Sequence, residues 1–469
     1  MISGKNEASP LLSIRNPLIK IRQYISTFEL TRGFFIALLG SAFIYLEYWG
    51  FSHPLPITLF GLASLYLLLQ AKKKVWFFSG FFTGIFWFWW ISLSFKHYNM
   101  PWAIPIGLIA VALSYGILFW LIAFLAENFS KYISIIRHSK LVSIPIKNPK
   151  ILPDHQDDGI SILFKAIFLL LLSYIHPFGF DWFKPELMFV ESYLGIEKWQ
   201  FALILTAITL SLWKKQLFYL FVVFLAYQPV NIGTATIPGN IQIVTTHISV
   251  KDKWNKSLQA AQFDTFFKTI DQAIDTNKTL IILPESVFPV FINRSQELID
   301  KLQERAKYIS IVTGGLYWDG KTPRNSTYIF TDGKIKVANK VVLVPFGESN
   351  PLPDFLSDWV NKIFYDGAID YKASENIIDY KIDKKTYRNA ICFEATSEKL
   401  YTKNSEGVRP RNMIVLSNNG WFTPSTEPVL QKLLLQYYSK KYGTTIYHSI
   451  NMAPSYIIQY GKSVKEWNE

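Results

Sequence analysis

The sequence predicts a bundle of membrane-spanning helices followed by a layered α/β domain. Two patterns carry this prediction. Long apolar runs are confined to residues before about 230, and short Ile/Val-rich runs alternate with helical patterns after residue 240. Half of the 469 residues are hydrophobic and 16% are aromatic, which is high for a soluble protein.

The apolar half contains seven runs that meet or approach the length of a membrane span, since about 20 residues cross roughly 30 Å of hydrocarbon. We therefore expect a cytoplasmic segment over residues 1–31 and a transmembrane domain of about seven helices over residues 32–230. The expected spans are approximately 32–50, 54–71, 74–95, 102–126, 159–176, 199–213 and 215–230.

The loop charges predict the orientation of these helices. Alternate loops are rich in Lys and Arg, whereas the opposite loops carry only Lys96, Lys184 and Lys198, and basic loops stay in the cytoplasm. Because seven is odd, the rest of the chain would lie on the periplasmic face of a bacterial inner membrane. Glu47, near an outer end, is expected to face that polar half. The basic residues of the inner segments are Lys5, Arg15, Lys20, Arg22, Lys72, Lys73, Lys74, Lys131, Arg137, Lys140, Lys147, Lys150, Lys214 and Lys215.

The composition also excludes several classes of function. The net charge of +13 comes largely from loop residues, without a basic stripe or a DNA-binding spacing, so we expect no nucleic-acid partner. A single cysteine excludes an internal disulfide, and with seven scattered histidines it excludes a Cys/His zinc site. No glycine-rich phosphate loop occurs. We therefore expect no metal and no cofactor.

The polar half begins after a Gly/Thr/Pro linker at 231–239 and extends over 240–469. Phe263, Phe267, Ile270 and Ile274 recur at helical spacing, and Leu430 to Tyr437 repeat the pattern later. Between such helices lie buried-strand runs, as a layered α/β domain requires. The predicted strands are 241–246, 279–283, 309–313, 389–393 and 413–417.

Three residues near the ends of these strands could perform acyl transfer. Glu285 follows one strand, Lys340 precedes an apolar run, and Cys392 ends another strand. A carboxylate can take the thiol proton, a thiolate can hold an acyl group as a thioester, and an ammonium can stabilise the oxyanion. Taken alone, a cysteine at a strand end is more often an inert small hydrophobe.

The sequence around these residues carries a resemblance. LPES (283–286), NKVVLVPFGE (339–348), ICFE (391–394) and SNNGWF (417–422) occur in this order. They resemble the four signature blocks of the carbon–nitrogen hydrolase, or nitrilase, superfamily. Together with the multi-span half, the chain is similar to the apolipoprotein N-acyltransferase family within that superfamily.

The resemblance implies that the α/β domain is a nitrilase-like αββα sandwich with a Glu–Lys–Cys catalytic triad. Glu285 would be the general base and acid, Lys340 the oxyanion stabiliser and Cys392 the nucleophile. Glu348 would support the lysine and Glu394 would be a further essential acid. Phe393 and Trp421 would contact substrate.

The implied reaction moves a fatty acyl chain from a phospholipid, through a Cys392 thioester, to an amine. That amine would be the α-amino group of the N-terminal diacylglyceryl-cysteine of a lipoprotein. The two partners are therefore a phospholipid donor and a diacylated apolipoprotein acceptor, and we expect a membrane-embedded monomer.

Departures from the family pattern leave other functions open. The chain ends at Glu469 without the family's usual final span. The region 436–455 differs from the late sequence block of the family. TTHI (245–248) stands where the family normally has Gln and Asn after the first strand. A membrane-tethered amidase, a paralogue that acylates another amine and an inactive scaffold remain alternatives. A Cys–His dyad with His448 or His247 is a further alternative. We expect instead that both histidines are interior strand residues. Segments 286–296 and 352–380 are expected to be flexible arms.

Overall fold

The computed structural model describes residues 26–141, 155–176, 179–229, 238–345, 347–349 and 371–467. Within these ranges, only the backbone is described for residues 137–141 and 155–158. Most of the predicted N-terminal segment 1–31, most of the linker 231–239 and segment 352–370 of the second predicted arm lie outside the described residues.

Helices lie in each of the seven ranges where spans were predicted. Three helical segments are long and apolar enough by themselves to cross a bilayer, namely Thr27–Tyr48, Lys73–Lys96 and Pro101–Ile136. Whether the helices in the other four predicted ranges also cross the bilayer stays a prediction. The α-helices are α1 (Thr27–Tyr48), α2 (Pro54–Leu69), α3 (Lys73–Phe88), α4 (Ile104–Leu141), α5 (His155–Leu172) and α6 (Lys198–Lys214), and a 3₁₀ helix follows at Leu217–Ala226.

Helices α3 and α4 approach each other closely at two glycines. A Cβ atom at Gly84 would lie 3.0 Å from the carbonyl oxygen of Val111, and a Cβ atom at Gly80 would overlap the carbonyl oxygen of Tyr115. Small residues four positions apart allow this approach between membrane helices. It brings the aromatic side chains that follow on α3 into the core of the bundle.

The polar half contains two six-stranded sheets in the described residues. In the first, β1, β2 and β4 are parallel, β5 and β6 continue antiparallel, and β3 pairs with β4. Its strands are β1 (Ile241–Ile243), β2 (Leu280–Ile282), β3 (Phe288–Phe291), β4 (Ser310–Trp318), β5 (Pro323–Thr331) and β6 (Lys334–Asn339).

The second sheet has the order β12-β11-β10-β9-β8-β7, with β8, β9 and β10 parallel at its centre. Its strands are β7 (Asp379–Ile382), β8 (Lys385–Ile391), β9 (Asn412–Asn418), β10 (Thr445–Asn451), β11 (Ser455–Gln459) and β12 (Lys462–Trp467). All five predicted strand runs lie in these two sheets.

The sheets pack face to face and helices cover both outer faces. The inner layer contains Ile282 and Val312 of the first sheet with Leu416 and Tyr447 of the second. Helices α8 (Lys256–Asp275) and α9 (Gln296–Arg305), preceded by the short α7 (Val250–Lys253), cover the first sheet. Helix α10 (Glu427–Tyr442) covers the second sheet. This is an αββα sandwich joined to membrane helices, so the predicted fold class is confirmed.

The sandwich docks on the membrane bundle through α10 and the turn after β8. Lys432 Nζ lies 2.9 Å from Glu47 Oε1, which confirms that Glu47 faces the polar half. Trp89 Nε1 donates to Thr426 Oγ1 at 3.1 Å. The membrane-side residues of these contacts lie at the helix ends opposite the Lys/Arg-rich loops. The sandwich therefore sits on the lysine-poor side of the bundle.

The segment at 286–296, which the sequence suggested was a flexible arm, packs into the sandwich. It contains β3, and Val287, Phe288 and Ile292 are almost completely buried. The three aromatic rings Phe263, Phe266 and Phe267 of α8 contact Phe288. Apolar packing therefore ties this segment to the sandwich.

Candidate active site

Cys392 lies where β8 ends and a 3₁₀ turn, Cys392–Thr396, begins. Its φ angle is +51°, in the left-handed region that residues other than glycine rarely adopt. Backbone strain of this kind is concentrated at functional sites, where the surrounding structure maintains it. The turn places the thiol beyond the carboxyl end of a central parallel strand.

Glu285 lies at the corresponding end of β2 and is 8% exposed. Asn325 Nδ2 donates to Glu285 Oε1 at 2.8 Å. Lys253 Nζ, also buried, donates to the backbone carbonyl of Glu285 at 2.9 Å. Gly314 of β4 permits this packing, because a Cβ atom there would lie 2.8 Å from the Glu285 Cα atom. Both the backbone and the carboxylate of Glu285 are thereby fixed.

Lys340 follows β6 and is 1% exposed. Its ammonium lies 2.8 Å from Glu348 Oε2, which also accepts a hydrogen bond from the Val344 N–H at 2.9 Å. The other oxygen of Glu348 accepts from Asn325 Nδ2 at 2.9 Å. Glu348 therefore contacts the lysine directly, as the resemblance implied, and shares Asn325 with Glu285.

Glu394 is 1% exposed and accepts only backbone hydrogen bonds in the described structure. Its Oε2 accepts from Val341 at 2.7 Å and from Val342 at 3.2 Å. Its Oε1 accepts from Ile391 at 2.7 Å. Glu394 thus ties the backbone after Lys340 to the backbone before Cys392.

The electrostatics favour a neutral resting thiol beside a carboxyl base. Burial raises the pKa of the Cys392 thiol, the Glu285 carboxylate raises it further and the Lys340 ammonium lowers it. Burial also raises the pKa of Glu285, whereas Lys340 and the hydrogen bond from Asn325 lower it. The charges of Glu285 and Lys340 both act on the thiol, so these three residues form one buried site.

Lys340 remains an ammonium in this site. Burial lowers the pKa of Lys340, but the carboxylates of Glu348 and Glu285 raise it, and the net direction is upward. Burial raises the pKa of Glu394 to about 7, although Lys340 and three backbone N–H groups favour its charged form. The site therefore keeps one fixed positive charge close to the thiol.

The two predicted substrate-contacting aromatics lie where the sandwich meets the membrane half. Phe393 is 4% exposed and stacks on Phe180 and Trp182, with ring centroids 5.7 and 6.0 Å away. Trp421 stacks on Tyr98 at 6.3 Å. Their contact with substrate stays a prediction, and in this structure Phe393 packs against the membrane half.

Three residues of the site were not predicted from the sequence. They are Asn325, which bridges two glutamates, Lys253, which holds Glu285, and Gln431, whose Nε2 lies 3.8 Å from Cys392 Sγ. Asn325 lies in β5, where no strand was predicted, so no sequence signal marked it.

Neither histidine hydrogen-bonds to the nucleophile in the described structure. His448 is a buried residue of β10, and its Nε2 lies 2.7 Å from Ser417 Oγ. Burial lowers the pKa of His448 to about 3. His247 is exposed in the segment after β1, so the expectation that it is an interior strand residue is wrong. The expectation is correct for His448.

This fold and site define a class of protein. It is a membrane protein whose helical bundle supports an αββα sandwich with a buried glutamate and lysine beside a partly buried cysteine. Residues 27–230 match the family model described as the apolipoprotein N-acyltransferase integral membrane domain.

Curated relatives identify the family more closely. The apolipoprotein N-acyltransferase of Wolinella succinogenes is 39% identical over 90% of this chain and 94% of its own length. That of Campylobacter jejuni is 33% identical over 94% of this chain and 92% of its own. The chain belongs to the apolipoprotein N-acyltransferase family and is a bacterial membrane N-acyltransferase.

A solved structure of a CN-hydrolase superfamily protein from Xanthomonas campestris is also similar to this chain. It covers 48% of this chain and 85% of its own, with a TM-score of 0.37 and 14% identity.

Proposed function

We propose that this enzyme transfers a fatty acyl chain from a phospholipid to the α-amino group of the N-terminal diacylglyceryl-cysteine of lipoproteins, through a thioester on Cys392. The similarity to apolipoprotein N-acyltransferases supports the acceptor class. The observation that carries the mechanism is that the charges of two buried residues, Glu285 and Lys340, both act on the partly buried thiol of Cys392.

In the first half-reaction the Cys392 sulfur attacks the ester carbonyl of the phospholipid while its proton passes to Glu285. Lys340 stabilises the negative charge that develops on the carbonyl oxygen, as an oxyanion donor does. The ester C–O bond then breaks, and Glu285 returns the proton to the leaving lysophospholipid oxygen. The products are an acyl thioester on Cys392 and a lysophospholipid with a free hydroxyl group.

In the second half-reaction the neutral acceptor amine attacks the thioester carbonyl. The C–N bond forms, the C–S bond breaks, and one N–H proton moves through Glu285 to the sulfur. Lys340 again stabilises the oxyanion. The free thiol of Cys392 and the charged form of Glu285 are thereby restored, and no cofactor or metal is required.

The docking side supports an active site on the outer face of the inner membrane. The sandwich contacts the helix ends opposite the Lys/Arg-rich loops, through Glu47 and Trp89. Lys/Arg-rich loops remain in the cytoplasm. The orientation follows from the side of the bundle that the sandwich occupies, whether the number of spans is odd or even.

Burial around the nucleophile favours transfer to an amine over hydrolysis. Phe393 stacks on Phe180 and Trp182, and Trp182 Nε1 donates to Thr396 Oγ1 at 2.6 Å beside the nucleophile turn. A water-poor environment protects a thioester from hydrolysis. An amidase would instead discharge the thioester to water.

The test is mass spectrometry of lipoprotein N-termini in cells depleted of this protein. We expect diacylated N-termini after depletion, triacylated N-termini on complementation with wild type, and no rescue by Cys392→Ala. Purified enzyme given phospholipid should carry an acyl group on Cys392 that a diacylated lipopeptide removes. Discharge to water alone would favour the amidase, and absence of a thioester would contradict the mechanism.

A further inference from the structure

A second group of polar side chains, which the triad does not use, lies close to Cys392. Glu427, the first residue of α10, is 2% exposed, and Asn419, in the turn after β9, is 1% exposed. Within the described residues, Glu427 Oε2 and Asn419 Oδ1 are buried and have no hydrogen-bond partner.

Gln431 connects this group to the nucleophile. It lies one helical turn after Glu427, so both side chains project from the same face of α10. Its Nε2 lies 3.8 Å from Cys392 Sγ, and its Oε1 accepts from Asn419 Nδ2 at 3.4 Å. The charge of Glu427 also acts on the Cys392 thiol. Glu427 and Asn419 therefore belong to the surroundings of the reacting sulfur.

The two unpartnered atoms have the same hydrogen-bonding character. A carboxylate oxygen and an amide oxygen are both acceptors, and leaving a buried polar atom without a partner is unfavourable. A ligand that satisfies them must bring hydrogen-bond donors. The ester group of a phospholipid has none at its reacting atoms, whereas a primary ammonium has three N–H donors.

We propose that Glu427 and Asn419 form the subsite for the acceptor amine, in which Glu427 takes one proton from the incoming α-ammonium. This inference rests on the proposed function and assigns its second half-reaction a base of its own. The carboxylate gains the proton and the ammonium becomes a neutral amine with a free electron pair. The amine then attacks the thioester, and Glu427 later releases the proton to solvent.

The environment of Glu427 suits this exchange. Burial raises the pKa of Glu427 to about 8, and an unperturbed α-amino group has a pKa of about 7.7–8.0. A pKa of about 8 leaves Glu427 mostly protonated at neutral pH while the subsite is empty, and an ammonium bound beside it favours the charged carboxylate that the exchange needs. The titratable groups whose charges couple to Glu427 are Cys392, from the nucleophile turn, and Tyr456, from β11.

The experiment separates the two half-reactions in Glu427→Gln, a variant that keeps the side-chain volume but accepts no proton. Full-length enzyme is first acylated with phospholipid, and the Cys392 thioester is quantified by intact-protein mass spectrometry. The thioester is then discharged either with a diacylated lipopeptide or with hydroxylamine, which is uncharged at neutral pH. Glu297→Gln, an exposed substitution on α9, is the matched control.

We expect Glu427→Gln to form the thioester at the wild-type rate and to discharge to hydroxylamine normally. Discharge to the lipopeptide should fall by about 100-fold, the lower end of what a general base contributes. The control should match wild type in all three measurements. Rescue by Glu427→Asp would show that the carboxylate is responsible.

Three results would overturn the inference. They are unchanged discharge of Glu427→Gln to the lipopeptide, equal slowing with both nucleophiles, and slowed thioester formation, which would indicate a structural role. The proposed function fails separately if wild-type enzyme forms no thioester or its thioester does not discharge to the lipopeptide.

Discussion

The carboxylate of Glu394 accepts a hydrogen bond from the backbone N–H of Val341 at 2.7 Å. Val341 follows Lys340, and Glu394 lies two residues after Cys392. The other carboxylate oxygen accepts from Ile391, directly before the nucleophile. This carboxylate therefore fixes the spacing between the nucleophile turn and the oxyanion-stabilising lysine, two segments that are about fifty residues apart in the chain.

Replacement of this carboxylate should impair both stability and catalysis. In Glu394→Gln an amide NH₂ meets a backbone N–H donor, and a buried donor left unpaired costs about 1–3 kcal/mol. We expect a lower melting temperature and slower formation of the Cys392 thioester, with Glu297→Gln unchanged in both. Wild-type thioester formation in a destabilised Glu394→Gln would contradict the positioning role.

Loss of the lysine should be more severe. Lys340→Met removes the oxyanion donor and leaves Glu348 partly buried without its ion-pair partner. We expect thioester formation to fall by about 10²–10³-fold, the usual cost of losing one oxyanion donor. Lys334→Met, at an exposed position on β6, is the matched control. Activity within a fewfold of wild type would show that another group stabilises the oxyanion.

The pH dependence of acylation should report Glu285. Burial raises the pKa of Glu285 above its ordinary value of 4.5, and below this raised pKa the base is protonated and inactive. The rate of thioester formation should therefore fall on the acid side at a pH above 4.5. The hydrogen bond from Asn325 lowers the pKa of Glu285, so Asn325→Ala should move this fall to higher pH.

The control for this profile is Asn240→Ala, at an exposed asparagine that precedes β1, whereas Glu285 follows the other end of the neighbouring strand β2. Its profile should coincide with that of wild type. An acid limb at or below pH 4.5, or a shift of the Asn325→Ala profile to lower pH, would show that Glu285 is not the titrating base.

The orientation can be tested because the chain has a single cysteine. In a Cys392→Ala background, Tyr308→Cys places a thiol at a position 71% exposed on the sandwich. Lys73→Cys places one at the opposite end of the bundle, where the lysine side chain is 43% exposed. A membrane-impermeant maleimide should label Tyr308→Cys in intact spheroplasts and Lys73→Cys only after permeabilisation. The reverse pattern would place the site in the cytoplasm.

Local sequence was sufficient to predict the architecture. Apolar runs of span length and alternating loop charge reflect the cost of placing polar groups in hydrocarbon, which acts on each segment separately. Buried strands likewise appear as short apolar runs. Glu285, Lys340 and Cys392 lie at the ends of such runs, but it was the resemblance of the sequence blocks around them that marked them as candidate catalytic residues.

The contacts between distant segments depended on tertiary structure. Asn325 joins Glu285 to Glu348 because β5 passes between their loops, and nothing near position 325 in the sequence indicates this partnership. Sequence also left open whether segment 286–296 was a mobile arm, whereas packing under α8 buries it.

The sequence by itself thus determined that this is a membrane-anchored sandwich with a glutamate, a lysine and a cysteine at its strand ends, because hydrophobic periodicity and turn chemistry are local properties. Only the tertiary structure decided that α10 brings Gln431 and Glu427 to the nucleophile while Lys432, on another face, holds Glu47 of the membrane bundle. A helical pattern specifies which residues share a face, but the neighbour of each face is fixed only when the layers pack.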